Sequence, residues 1–276
     1  MIVSKELLAK YNAIRNTTDK SILCHAPFTN INFEQNGNMT ACCFNRVNVL
    51  GKYPSKSIQQ AWTGTEASLL RQKIKENNLG GGCNWCELLM NSENYSGTKS
   101  IHFDEYAHKK STLDLIKENW LGIPFKYYPK VFEFEIDNTC NLECVMCSGY
   151  YSSSIRKNQD NLPPLISPYD DKFVQEVKKF IPHLTDMKFL GGEPFLIKLY
   201  FDIWDDIIAL NPKIGVHITT NGTVLNSRIK DYLEKMNAGI IISIDSINPD
   251  NYPLIRKNGD LNKVLENIKV FGEITK

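Results

Sequence analysis

The chain lacks any apolar run of the roughly 18 residues that a membrane-crossing helix requires. It has almost no net charge: 32 Lys and Arg stand against 31 Asp and Glu, so no global field draws it toward nucleic acid or an anionic surface. A strong basic patch is also missing; KYYPK (Lys126 to Lys130) pairs aromatics with charge but stands alone, which argues against a nucleic-acid partner. Internal repeats and low-complexity tracts are absent. The opening MIVSKELLAKYN has the pattern of an amphipathic helix and no apolar core of a secretion signal, so a cytoplasmic protein is expected. What remains is 276 residues, 42% of them hydrophobic, enough for one large core and a small satellite domain.

Against that plain background the chain carries eight cysteines. They cluster at ligand-like spacings, which points to a reducing compartment and to metal use rather than to disulfides. Three lie in VFEFEIDNTCNLECVMC, where a strand-like run delivers Cys140, Cys144 and Cys147 as C-x3-C-x2-C. Three thiolates can hold three irons of a [4Fe–4S] cube and leave the fourth open; a zinc knuckle or three unrelated buried thiols are the alternatives. Downstream, MKFLGGEPFL reads as a buried strand ending in Gly191, Gly192, Glu193 and Pro194. The glycines let backbone approach a ligand, and the carboxylate is expected to face the mouth.

Two more strands follow the same rhythm. KIGVHITTNGT ends in Thr220-Asn221-Gly222, and AGIIISIDS ends in Ser243-Ile244-Asp245. Helical patterns between them (KFVQEVKKFI, LYFDIWDDIIAL, SRIKDYLEKM, LNKVLENIKVF) imply βα units on a parallel sheet with ligating residues at the strand C-termini. Alternation along SIDS would point Ser243 and Asp245 to one side of the strand. Asn221 reads equally well as a turn residue, and Met146 as core filling. The Pro-rich NQDNLPPLISPYDD is expected to loop over the mouth, where substrate contacts are made.

The other five cysteines precede residue 90. INFEQNGNMTACC reads as a hairpin turning at Gly37, with Cys24 before it and Cys42 and Cys43 after it; Cys83-Asn-Trp-Cys86 follows three glycines. Cys24, Cys42, Cys83 and Cys86 make four thiolates, which saturate a [4Fe–4S] cube or equally a structural zinc. Adjacent cysteines on a strand face opposite sides, so Cys42 is expected to serve without Cys43.

Taken together, these motifs resemble the radical S-adenosylmethionine (SAM) superfamily, with an N-terminal twitch domain, a shorter relative of the SPASM domain. The resemblance covers residues 20–92 for the twitch and 128–276 for the core; an N-terminal helix (1–19) and a connector (93–127, with Trp120) fall outside it. It implies an α/β partial (βα) barrel, with a cluster on Cys140, Cys144 and Cys147 binding SAM at its open iron. Gly191, Gly192 and Glu193 would meet the SAM amino group, Asn221, Ser243 and Asp245 its ribose or methionine portion, and Met146 the adenine. Arg256 is the candidate partner of a carboxylate of SAM or substrate. Relatives close six βα units, and this chain shows four strands in the core, so another chain completing the barrel, or a shortened reading frame, is expected.

The activity so implied is reductive cleavage of SAM to methionine and a 5′-deoxyadenosyl radical, which takes a hydrogen atom from the substrate. The electron would come from a reductant such as flavodoxin or ferredoxin. An auxiliary [4Fe–4S] cluster on the four N-terminal cysteines favours a net oxidation or cross-linking of a peptide or sugar. Methyl or sulfur transfer, RNA modification and a non-catalytic metal-binding fragment are the alternatives.

Overall fold

A computed structural model of the chain describes residues 2–118 and 127–275; Trp120 and Lys126 lie outside them. The chain divides into two compact units. The first comprises Met1–Asn32 and Asn38–Phe132, the second Phe33–Gly37 and Glu133–Lys276.

The first unit begins with α1 (Lys5–Ile14), capped by the Ser4 hydroxyl, which accepts from the Leu7 amide. A short turn of helix, α2 (Ala26–Thr29), leads into β1 (Asn30–Glu34), and β2 (Asn38–Thr40) and β3 (Gly51–Lys52) follow, the last two antiparallel. Within this unit the Asn32 amide donates to Thr40 Oγ1 and the Asn30 amide to the Ala41 carbonyl. α3 (Ile58–Thr63) opens with a full capping box between Ser57 and Gln60, and α4 (Thr65–Lys75) buries Ala67, Leu70, Arg71 and Ile74 at helical spacing. The guanidinium of Arg71 lies over the Trp62 ring and donates to the Pro27 carbonyl. α5 (Asn84–Asn91) and α6 (Lys110–Lys117) complete the unit. Two 3-10 stretches, Tyr95–Gly97 and Lys99–Tyr106, fill the segment between those helices, and they bury Ser100, Phe103 and Asp104.

The second unit holds the expected alternation. β4 (Val131–Glu135) runs into it and is followed by α7 (Ser153–Asn158), α8 (Asp171–Lys178), β5 (Asp186–Phe189), α9 (Lys198–Leu210), β6 (Gly215–Thr220), α10 (Ser227–Lys235), β7 (Asn237–Ile242), α11 (Tyr252–Ile255) and α12 (Leu261–Ile274). The order across the sheet is β4-β5-β6-β7, with β5, β6 and β7 parallel. Tyr200, Ile203, Trp204 and Ile207 give α9 its buried stripe. Phe134 sits at the centre of the core, stacked between Phe33 and Phe189 at 5.1 Å from each, with Phe173 and Tyr200 edge-on. β7 is the last strand of the order, and Ile241 on it is 57% exposed.

Two expectations fail on strand ends. β7 stops at Ile242, so Ser243 and Asp245 lie beyond the strand, and Asp245 has a φ of 58°. The alternation that would have aligned them does not extend that far. Similarly β2 stops at Thr40; Cys42 and Cys43 stand in a turn closed by the Asn45 amide on the Cys42 carbonyl, so opposite strand faces do not decide between them.

Candidate functional site: two sets of thiols

The loop from Asp137 to Ser152 carries Cys140, Cys144 and Cys147 at the C-terminal end of β4. Its backbone is held from three directions. From β5, the Gly192 amide donates to the Asp137 carbonyl (3.0 Å) and the Glu193 amide to the Thr139 carbonyl (2.7 Å). From the end of α11, the carbonyls of Ile255 and Lys257 accept from the amides of Val145 (2.9 Å) and Glu143 (3.1 Å). From α7, the Ser152 hydroxyl donates to the Leu142 carbonyl and the Ser153 hydroxyl bonds the Cys140 backbone. The glycines are needed for this closeness. A Cβ on Gly192 would stand 2.2 Å from the Thr139 oxygen, and Gly191 has a φ of 110°.

Side chains then converge on the thiols. The Asn221 amide donates to Asn141 Oδ1 at 3.0 Å and reaches Cys140 Sγ at 3.9 Å, while its own oxygen accepts from the Thr223 amide and hydroxyl; it is both a turn residue and a neighbour of the cysteine. Arg256 pairs with Asp245 at 2.6 Å and points Nη1 at Cys144 Sγ, 3.8 Å away. Burial raises the Cys140 thiol to about 11, helped by the charges of Glu193 and the two other cysteines. Burial also raises Cys144 and Cys147, with Arg256 opposing the rise in both. Three thiols within electrostatic reach of one another, on a loop whose backbone is tied to three neighbouring elements, fit a thiolate-bound iron–sulfur group.

Three members of the expected set stand differently. Glu193 does not face the mouth: it is fully buried, Oε1 accepting from Thr220 Oγ1 (2.7 Å) and the Phe195 amide (3.2 Å), and Oε2 from the Asn221 amide (2.8 Å). The carboxylate thus ties the end of β5 to the end of β6; burial raises its pKa against the pull of those donors. Met146 is 60% exposed, so core filling is not its role. Ser243 makes a backbone bond to the Thr220 carbonyl. Sequence reasoning missed Asn138, Asn141, Ser152, Ser153, Thr220 and Thr223, which position the loop. Their one signal was the density of Asn, Ser and Thr just beyond the strand ends.

In the first unit, Cys24, Cys42, Cys83 and Cys86 line one small cavity, about 420 Å³ only when its open mouth is counted, with Phe44, Trp85 and Phe103; Cys43 does not line it. N–H donors reach three of the sulfurs: the Ala26 amide approaches Cys24 (3.4 Å), Asn45 Nδ2 approaches Cys83 (3.3 Å), and Ser100 and Lys99 donate to Cys86. Burial pushes Cys24 well up, with the charges of Cys86, Cys42 and Cys83 adding to it, and raises Cys83 to about 11. Beside Cys24, Arg15 clasps Asp104 at 2.6 and 2.9 Å, and Asp104 also bonds His25 Nδ1 at 2.8 Å, all three buried. Among the described residues no three His, Cys, Asp or Glu side chains are arranged to clasp a single metal ion. Nor, among them, is any helix long and apolar enough to cross a membrane.

A parallel βα sheet with a thiol-bearing loop at the end of β4 defines the class, an α/β protein with a candidate site at its strand ends. The family model described as "Radical SAM superfamily" matches residues 134–275, and the chain belongs to that superfamily, whose members are enzymes. Among curated relatives, GTP 3',8-cyclase of Clostridium botulinum (strain Okra) is 28% identical over 138 residues, 49% of this chain and 40% of the relative. The radical SAM cyclopropyl synthase TigE of Paramaledivibacter caminithermalis is 31% identical over 132 residues, 43% of this chain and 28% of that protein. The chain therefore spans well under half the length of these relatives. Among solved structures, native anSMEcpe with bound AdoMet is 21% identical over 52% of this chain and 41% of that one, with a TM-score of 0.43. SuiB of Streptococcus suis bound to S-adenosylmethionine is 16% identical over 94% and 54%, with a TM-score of 0.41.

Proposed function

We propose that the chain cleaves SAM reductively at Cys140, Cys144 and Cys147 and removes a hydrogen atom from a peptide or sugar in a net oxidation or cross-linking. The observation that carries this reading is the convergence of Asn221, Arg256 and the Gly191-Gly192 turn on the three-cysteine loop. When bound, a reduced [4Fe–4S] cluster would supply the electron that splits the sulfonium C–S bond into methionine and a 5′-deoxyadenosyl radical. The protein's part is placement. The three thiols would hold the cluster with one iron free of protein ligands, Asn221 and Arg256 set donors against two of the sulfurs, and the glycine turn keeps side chains out of the way. Glu193 acts from behind, by fixing the Thr220-Asn221 backbone.

Cys24, Cys42, Cys83 and Cys86 are the place of the auxiliary cluster in a twitch domain spanning residues 20–92. Four thiols leave no open iron, which suits electron transfer rather than SAM binding. That site supports the oxidative reading, because the substrate radical must pass on one more electron. Flavodoxin or ferredoxin is the proposed donor at the start of the cycle, in the cytoplasm.

The test is anaerobic reconstitution with iron and sulfide, reduction by dithionite, and mass-spectrometric assay of 5′-deoxyadenosine. About eight irons per chain, as two cubes require, with SAM turnover lost in Cys144→Ala, is the expected result. Iron loading without any SAM cleavage by the parent chain would sink the proposal.

A further inference from the structure

Behind the cysteine loop lies a second cavity, of about 860 Å³ including its open mouth, wholly within the second unit. Its walls differ in chemistry. One is a face of α7: Ser153, Ser154, Arg156 and Lys157 all line the cavity. The pairs 153/156, 154/157 and 153/157 sit three and four positions apart, so these side chains share one helix face, while Ile155 turns into the core. The opposite wall, Leu162, Pro164 and Leu165, is apolar and belongs to the Pro-rich loop. Arg156 braces that wall, its Nε donating to the Pro163 carbonyl and its carbonyl accepting from the Leu162 amide. The floor is Asp137, Asn138 and Thr139, which run directly into Cys140.

We infer that this cavity binds the oxyanion end of the substrate, a carboxylate or a phosphate, with an apolar part of the same molecule against Leu162, Pro164 and Leu165. The inference rests on the proposed function, since it names the substrate class of that reaction. The argument is one of charge, size and place. Two cations and the Ser154 hydroxyl face one carboxylate, Asp137 already spends Oδ1 on the Thr139 amide and hydroxyl, and Ser153 gives its proton to the Cys140 carbonyl. The volume is that of a small-molecule site, mostly preformed, with an apolar wall for affinity and a few polar groups for orientation. A guanidinium and an ammonium on one helix face suit an oxyanion. A substrate anchored here is held against the segment that carries Cys140, and the Ser153 hydroxyl bonds the Cys140 backbone as well as lining the cavity.

Equilibrium dialysis of the full reconstituted chain tests this with four probes: an acetylated peptide ending in leucine with a free carboxylate, the same peptide as its amide, GTP and inorganic phosphate. SAM binding and cleavage are measured on the same preparation. The expected result is that the free acid or GTP binds about tenfold more tightly than the amide, a factor worth about 1.4 kcal/mol. That preference should vanish in Lys157→Glu. Leu165→Ser should weaken acid and amide alike, which separates the apolar wall from the charged one. Preference for the acid identifies a peptidyl carboxylate as the source; preference for GTP identifies a phosphate. Phosphate binding without either marks an adventitious ion only and overturns the inference, as does equal binding of acid and amide without GTP binding, or a Lys157→Glu chain that binds like the parent. Selective oxyanion binding by a chain that never cleaves SAM overturns the proposed function and leaves the cavity standing. SAM cleavage without oxyanion selectivity does the reverse.

Discussion

The two thiol sets solve opposite problems. In the second unit, three cysteines ride a loop whose backbone is tied down by β5, α7 and α11, and Val145 and Met146 beside them are more than half exposed. In the first unit, four cysteines come from separate stretches of chain and meet in an apolar cavity. One site is local in sequence and tied down along its backbone; the other is assembled from afar and lined by aromatics, of which Phe44 and Trp85 are half-exposed. The number of thiols tracks that difference. On the proposed function, three thiols would leave one iron of a cube free for a ligand, and four would leave none.

Substitutions can break the comparison in order of expected effect. Cys144→Ala should abolish 5′-deoxyadenosine formation, by about a thousandfold or more given loss of a cluster ligand, yet keep about half the iron. Cys83→Ala should lose the other half and retain SAM cleavage, as read by iron analysis and mass spectrometry; equal loss from either variant would merge the two sites into one functional unit. Asp104→Asn leaves Arg15 buried without its carboxylate, which costs about 3–5 kcal/mol. Denaturant unfolding should show that loss in the first unit, along with poorer iron retention at Cys24, while the three-cysteine site loads normally.

Gly192→Ala is the mirror experiment. Forcing a Cβ against the Thr139 carbonyl should cost about 1–3 kcal/mol, weaken SAM binding in dialysis and leave the four-thiol site intact. The smallest effect is acid sensitivity. Burial would raise Asp104, but bonds to Arg15 and His25 outweigh it and hold its pKa below the ordinary 3.8. Its contribution is therefore present above that value and lost as pH falls beneath it. Unfolding followed by circular dichroism from pH 5 to pH 2 should show the first unit weakening first, and Asp104→Asn should remove that slope.

Much of this was legible in the residues. C-x3-C-x2-C after VFEFEI and the GGEP after MKFL fell where the structure has the ends of β4 and β5, because apolar runs and glycine pairs report backbone needs directly. The hairpin turn at Gly37, whose φ is 89°, was equally plain. What escaped was direction. Nothing in the sequence says that Glu193 turns inward to Thr220 and Asn221, since two donors waiting at the end of β6 are a tertiary fact. Nor could periodicity show β7 ending before Ser243, because alternation continues on paper after the ladder has stopped. The buried cluster of Arg15, Asp104 and His25 was not singled out, because its members lie up to 89 positions apart.

The brace from α11 onto the cysteine loop also sets an order of events in the cell. Cys144 and Arg256 are 112 positions apart, and the carbonyls that pin the loop belong to Ile255 and Lys257. At ribosomal speeds of about 5–20 residues per second, the cysteines wait roughly 6–22 s before their brace has been synthesised. During that interval the thiols sit on a nascent segment without its α11 brace, so the loop reaches its final backbone only after Lys257 has been made.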